Sequence, residues 1–167
     1  LRADVGPDSR QDSLPILLSA VEARQSSPLS VRATAEALGY QRRAFEGRLE
    51  RLVTSFAALW CPQRDDAGLI VPSAQSKLYL TDPLLSWLPS RLRAGLPPPD
   101  MTRLTEAMLG IALARAIDQL QPSRWVTSDT IGYARTMSRG EVDLAPVPVP
   151  TPGGTLMSVP IESKWVD

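Results

Sequence analysis

Acidic residues and a lysine near the carboxyl end of the chain have the types needed for phosphodiester chemistry. An acidic pair, Glu141 and Asp143, and a short E-x-K sequence from Glu162 to Lys164 stand on two strand-like segments. Side chains alternate between the two faces of a strand, so Glu162 and Lys164 share a face. Asp143 and Glu162 offer the carboxylate oxygens that Mg²⁺ prefers, and Lys164 can hold a phosphate oxygen or position a water. The pattern therefore predicts a metal-dependent phosphodiesterase site.

A reversal of the chain between these two segments is predicted by the Pro-Gly-Gly sequence at 152–154. A two-residue loop over its first two residues places Asp143 opposite Glu162, and one over its last two places Asp143 opposite Lys164. Either register gathers the three side chains on one face, whereas a three-residue loop would scatter them. The alternative interpretation is a plain solvent-exposed strand, in which charged and apolar residues also alternate.

The composition is that of a globular chain with balanced charge. Its 167 residues are 43% hydrophobic and 22% charged, which is enough for one or two cores. Eighteen Lys plus Arg balance eighteen Asp plus Glu, so nucleic-acid binding would have to come from a local basic patch. A single cysteine, Cys61, excludes an internal disulfide framework, and the lack of histidine argues against a structural zinc site.

No feature of the sequence indicates contact with a membrane. No run approaches the roughly 20 apolar residues of a membrane span. The first residues also lack a basic segment followed by an apolar signal core. Together with the single cysteine, these features lead us to expect a cytoplasmic protein in a reducing compartment.

Three short helices are predicted in the first third of the chain. Apolar residues keep helical spacing over 14–21, and a second helix begins near Ser30 and ends at Gly39. A third helix carries Phe45 and Leu52 inward after a tight turn. Apolar strand-like segments then flank a polar tip, and a further strand follows over 77–81.

Three helices followed by a strand pair is the order of a winged-helix domain, which we assign to residues 1–82. In that arrangement the third helix is offered to the major groove of DNA. Arginines outnumber glutamates on its outward side, and one more arginine stands at the predicted wing tip. The candidate DNA-binding residues are Arg42, Arg43, Arg48, Arg51 and Arg64. Winged helices also serve as protein-interaction modules, and mixed charges are typical of any solvated helix face.

Residues 83–100 form the predicted connector, because Pro89 and the prolines at 97–99 deny it long regular structure. A long helix follows, with two adjacent apolar rows that end at Leu120 and predict packing against a sheet. Glu106 lies in its first two turns, where it either joins a catalytic site or complements the helix dipole. Strand-like segments follow, and a helix before a β-meander is an α+β pattern. The strand-like segments span 125–127, 131–136, 141–149 and 156–166.

The ordered set of these residues resembles a known family. Three features follow one another along the chain. The first is a helix with an inward Glu106, the second a segment from Tyr133 to the G-E-V-D sequence ending at Asp143, and the third the I-E-S-K sequence ending at Lys164. This order looks like the PD-(D/E)-x-K nuclease-like domain at the C-terminus of a family of prokaryotic AAA-type ATP-binding proteins. The sequence at 77–85 is similar to the segment that leaves the winged helix of that family. The resemblance covers roughly residues 30–167.

The resemblance implies a restriction-endonuclease-like αβββ domain over residues 101–167. The domain is expected to be truncated, because the family fold continues with a further helix and strand. Asp143 and Glu162 would be ligands of a Mg²⁺ cofactor, Glu106 the helix acid near the metal, and Lys164 the base that positions a phosphate or a water; all four would be catalytic. An ATPase domain is expected upstream in the same polypeptide, because no G-x-x-x-x-G-K-[ST] sequence occurs here.

The leading hypothesis is a DNA-associated C-terminal region of an ATP-binding protein, with a candidate Mg²⁺-dependent DNase site. The first alternative is a non-catalytic module in which the nuclease-like fold only binds DNA or a protein. The second is a winged-helix transcriptional regulator with a ligand domain, which leaves the acidic residues without a role.

Overall fold

The computed structural model describes residues 13–120, 130–135 and 140–164. Within these residues the protein combines five helices with seven short strands, which confirms the predicted α+β class. No helix in the described part is long and apolar enough to cross a bilayer. The strand predicted at 125–127 lies outside the described residues.

The first helices agree with their predicted positions. They are α1 (Ser13–Glu22), α2 (Val31–Ala37) and α3 (Arg42–Thr54). The Ser30 side chain caps α2 by accepting the N–H of Ala33. Gly39, with φ at +70°, then turns the chain toward α3, a conformation that glycine adopts without steric cost. Local sequence signals therefore determine where α2 begins and ends.

The three helices surround the first of two hydrophobic cores. Leu18 of α1 and Phe45 and Leu49 of α3 are almost completely buried in it. Leu52 is also buried, so the predicted inward side of α3 is confirmed. The core is completed by side chains from a pair of strands.

Strands β1 (Ala58–Cys61) and β3 (Lys77–Leu80) form an antiparallel pair that contributes to both cores. Leu78 and Leu80 pack in the first core, whereas Tyr79 packs in the second, because successive side chains point to opposite faces. All four residues of β3 are buried. The pair is thus a wall shared by the two halves of the protein.

Helix α4 (Pro83–Leu92) lies where a connector without long regular structure was expected, and that expectation is wrong for this segment. Asp82 caps the helix, and Pro83 suits its first turn, where a backbone N–H needs no partner. Pro89 lies inside the helix and is buried together with Ser86. Packing of α4 against α1 offsets the loss of the backbone hydrogen bond that Pro89 cannot donate.

Helix α5 (Met101–Leu120) carries the second core. Its buried residues include Leu104, Ala107, Ile111 and Ala114, which repeat every three or four residues along one side. Strand β3 and the C-terminal strands cover this side. The predicted packing of the helix against strands is therefore confirmed.

The C-terminal strands form two small sheets. In the first, β2 (Gln63–Arg64) pairs in parallel with β4 (Tyr133–Arg135), which pairs antiparallel with β5 (Glu141–Val142). In the second, β6 (Leu144–Pro150) and β7 (Leu156–Ile161) form an antiparallel hairpin. A strand from the N-terminal half thus joins the sheet of the C-terminal half.

The hairpin turn is one residue longer than predicted. Thr151 donates its N–H to the carbonyl of Thr155, at 2.8 Å, so three residues form the loop and the predicted two-residue loop is wrong. An irregularity between Leu144 and Val147 then shifts the register by one, and Leu144 pairs with Ile161. This shift compensates for the longer loop. As a result, the residue before Leu144 lies beside the segment that follows Ile161.

Candidate functional site

A buried lysine lies at the centre of the acidic residues. The Nζ atom of Lys77 is 2.8 Å from a carboxylate oxygen of Glu106, 2.8 Å from one of Glu141 and 3.4 Å from one of Asp143. The lysine side chain is 0% exposed. Three elements and a bend meet here: Lys77 begins β3, Glu106 lies in α5, Glu141 lies in β5 and Asp143 lies in the bend between β5 and β6. We call these four residues the lysine–carboxylate cluster.

The alternation of β3 explains how the lysine reaches the cluster. Lys77 and Tyr79 point to the same face, toward α5. Tyr79 donates its hydroxyl to the same Glu106 oxygen, at 2.7 Å, that accepts from Lys77. Gly110 of α5 lies against the Tyr79 ring, and a Cβ atom at this position would be 3.0 Å from Cε2 of the ring. The glycine therefore lets the helix and the strand approach closely enough for this contact.

Other groups also contact the cluster. Oδ2 of Asp143 accepts the backbone N–H of Ser163 at 2.9 Å. Arg135 lies 3.3 Å from the outer oxygen of Glu141. The Nζ atom of Lys77 lies 5.3 Å from the centre of the Tyr133 ring, whose π-face favours a nearby cation. Two cationic side chains thus face three carboxylates.

Burial and charge act in opposite directions on the ionisation of the cluster. Burial by itself would lower the pKa of Lys77, but its hydrogen bonds and charge interactions with Glu106 and Glu141 outweigh burial and raise that pKa. Burial raises the pKa of Glu106 despite the lowering effect of Lys77 and Tyr79. Lys77 therefore stays protonated, and Glu106 is the carboxylate whose charged form is opposed by burial.

Two neighbouring groups are kept neutral. Burial raises the pKa of the Cys61 thiol to about 12, against an ordinary value of 9.0. Burial also raises the pKa of Tyr79, and the negative groups around its hydroxyl act in the same direction. Cys61 pairs directly with Lys77 across the strands. Neither side chain supplies a nucleophile at neutral pH.

The structure separates the predicted site residues into two groups. Glu106 and Asp143 meet at Lys77. Glu162 and Lys164 follow β7 at the surface, with side chains 60% and 72% exposed, and their charged atoms lie 3.3 Å apart. Lys164 is thus not the cation that contacts Glu106 and Asp143.

The carboxylate oxygens of the cluster do not fit a Mg²⁺ ion. Such an ion requires oxygen ligands at about 2.0–2.1 Å in a near-octahedral arrangement and usually retains several waters. Here the bonding oxygens of Glu106 and Asp143 already accept from Lys77, Tyr79 and Ser163. With Lys77 in place, no group of three or more His, Cys, Asp or Glu within residues 13–120, 130–135 and 140–164 is arranged to hold a metal ion.

The candidate DNA-binding arginines lie in different surroundings. Arg43 and Arg51 are exposed on α3. Arg42 is also exposed and bonds Glu46 one turn later, at 2.7 Å. Arg48 is half-buried, with its guanidinium 4.8 Å from the centre of the Tyr40 ring.

Arg64 is the last residue of β2 and stands just before the turn at 65–69, so it is not at an exposed tip. Its guanidinium donates to the carbonyl of Gly68 at 2.7 Å, which closes the turn. The side chain also crosses Gly132, where an added Cβ would lie 2.5 Å from Nε. The half-buried Arg64 side chain therefore packs between this turn and the residue that precedes β4.

The sequence reasoning missed the roles of Lys77, Glu141 and Tyr79. One signal was present: Lys77 is one of only two lysines among eighteen basic residues, and it begins a strand that is otherwise apolar or aromatic. A charged residue in such a strand is rarely buried without a partner. Comparisons with family models, with curated proteins and with solved structures found no significant match to this chain.

Proposed function

We propose that this chain is a DNA-associated region of an ATP-binding protein of the AAA type. In this proposal, α1–α3 and the β1–β3 strand pair are a winged helix, and α5 with the C-terminal strands is a nuclease-like αβββ domain. The winged helix binds DNA, and the nuclease-like domain retains DNA without cutting it. An ATPase domain in the same polypeptide would be the partner in cis.

The observation that carries the proposal is the exposed basic side of α3. Arg43, Gly47 and Arg51 follow one another every four residues, so they lie along one side of the helix. A Cβ added at Gly47 would meet no atom within 4 Å, which leaves room for a close approach of DNA between the two arginines. The helix carries four arginines against two glutamates, and such an excess favours contact with phosphates.

The order of elements supports the winged-helix assignment. Helix α3 follows α2 after a tight turn at Gly39, and the strand pair comes next in the chain. In winged helices the helix after the turn enters the major groove. A protein-interaction module with the same elements would not need the basic side of α3.

A test of DNA binding uses fluorescence anisotropy with a labelled duplex at several salt concentrations. We expect the double variant Arg43→Ala/Arg51→Ala to bind at least about tenfold more weakly and the salt slope to fall by about two. The matched control is Arg91→Ala/Arg93→Ala, which removes two exposed arginines at the end of α4, one inside the helix and one just after it, and should leave affinity unchanged. Equal losses in both double variants, or no binding by the wild type at low salt, would contradict the proposal.

Hydrolysis of DNA is the second candidate function, favoured by the meeting of Glu106 and Asp143. Wild type and Lys164→Ala are incubated with duplex and single-stranded DNA in the presence of Mg²⁺ or Mn²⁺. We expect retention without cleavage. Cleavage by the wild type that is lost in Lys164→Ala would replace the non-catalytic proposal with a nuclease. Binding to one DNA sequence only, abolished at Arg43, would instead indicate a transcriptional regulator.

A further inference from the structure

The position of Lys77 is that of a cation bound by carboxylates. Its ammonium group contacts Glu106 from α5, Glu141 from β5 and Asp143 from the bend before β6. Divalent cations in proteins are commonly held by carboxylates that converge from separate elements in this way. In this chain the positive charge is supplied by the Lys77 side chain of β3.

The choice of lysine at this position is informative, because the chain mostly uses arginine for its basic residues. Sixteen of its eighteen basic residues are arginine. A guanidinium is a wide planar fork that suits one carboxylate at a time, whereas an ammonium is a compact charge with three donors. Three donors match the three carboxylates around Nζ.

We propose that the Lys77 ammonium is the resident cation of the lysine–carboxylate cluster and occupies the place that a divalent metal would need. The inference depends on the contacts of Lys77 alone and holds whether or not α3 binds DNA. Because the cation is covalently part of β3, the C-terminal half is bonded to the strand pair without any metal. Removal of the charge leaves three converging carboxylates, whose mutual repulsion favours the binding of another cation.

The experiment measures metal binding and stability together. Wild type, Lys77→Ala and Lys164→Ala are titrated with Mn²⁺, with bound ions counted by electron paramagnetic resonance and melting temperatures recorded in parallel. Magnesium chloride and an ionic-strength-matched sodium chloride series serve as controls. Lys164→Ala is the matched variant, since Lys164 is the other lysine and lies at the surface.

We expect wild type and Lys164→Ala to bind no stoichiometric Mn²⁺. Lys77→Ala should be less stable without metal, and Mn²⁺ at about one hundred times its Kd should raise its melting temperature by about 5–10 °C. The double variant Lys77→Ala/Asp143→Asn should lose that rise. One Mn²⁺ bound by the wild type and lost in Asp143→Asn would overturn the proposal. So would a Lys77→Ala protein that binds no Mn²⁺, or one that stays unfolded at every Mn²⁺ concentration.

Discussion

The Nζ atom of Lys77 lies 2.8 Å from Oε1 of Glu106, and the two side chains are 0% and 6% exposed. The residues are 29 positions apart in the chain and belong to β3 and α5. A buried ion pair of this kind gains little over an apolar pair of the same shape, but loss of one partner leaves an uncompensated charge. The contact therefore constrains how the strand pair and α5 are assembled.

Removal of the Glu106 carboxylate should be strongly destabilising. We expect Glu106→Ala to lower the free energy of unfolding by about 3–5 kcal/mol, because Lys77 and the Tyr79 hydroxyl both lose their shared acceptor. Urea denaturation followed by circular dichroism measures the change. The control Glu36→Ala removes a carboxylate from an exposed pair with Arg32 and should change stability little.

The same contact predicts strong coupling between its partners. The double variant Lys77→Met/Glu106→Leu should lose less free energy of unfolding than the sum of the losses in the two single variants. The reason is that each single variant leaves one charge without its partner, whereas the double variant removes both charges. Additive costs would show that Lys77 and Glu106 do not stabilise each other. Unfolding free energies of the four proteins complete the cycle.

The two lysines should differ in chemical reactivity. Lys77 is buried and its pKa is raised, so its amine is both inaccessible and protonated, whereas the Lys164 side chain is 72% exposed. Acylation of the native protein at pH 8, read by mass spectrometry of peptides, should modify Lys164 first. Lys77 should react only after unfolding in urea. Similar labelling of both lysines in the native protein would contradict the buried cluster.

The single cysteine should be inert in the folded protein. With its pKa raised to about 12, Cys61 contains little thiolate at pH 8 and should resist a thiol reagent until the protein unfolds. The unfolded thiol ionises near 9.0. The stabilising contribution of the buried neutral thiol is therefore complete below about pH 9 and is lost as the pH rises toward about 12. Rapid native-state labelling would show that Cys61 is accessible.

Close packing at Gly110 predicts an unusual effect of alanine in a helix. An added Cβ would lie 3.0 Å from Cε2 and 3.2 Å from Cδ2 of Tyr79. Gly110→Ala should therefore destabilise the protein by about 1–3 kcal/mol, the range for overpacked cores. Gly47→Ala in α3, where a Cβ meets open space, should instead be neutral or stabilising by up to about 1 kcal/mol. Thermal unfolding of both variants checks the contrast.

The helices were predictable because their signals are local. The cap at Ser30, the left-handed Gly39 and the repeating apolar residues of α3 and α5 each act within a few residues. Helix α4 was missed because Pro89 is a helix breaker by sequence, whereas packing against α1 stabilises the helix around it. Propensity was overridden there by tertiary contacts.

The hairpin shows the same division. The Pro-Gly-Gly turn was readable from sequence, since its residues favour a reversal. Its three-residue length and the shift between Leu144 and Val147 were not, because no residue type in β6 marks the irregularity. The longer loop and the shift compensate for each other, so Asp143 still meets Ser163.

The sequence by itself determined the α+β class, the order of most elements and the choice of Glu106 and Asp143 as residues that belong together. Only the tertiary structure decided which cation they contact. The sequence pattern assigned Lys164, a neighbour of Glu162 on the same segment. The folded chain instead brings in Lys77 from 66 residues before Asp143. The reason is physical: strand alternation states which face a side chain takes, but the partner on that face depends on how β3, α5 and β5 pack.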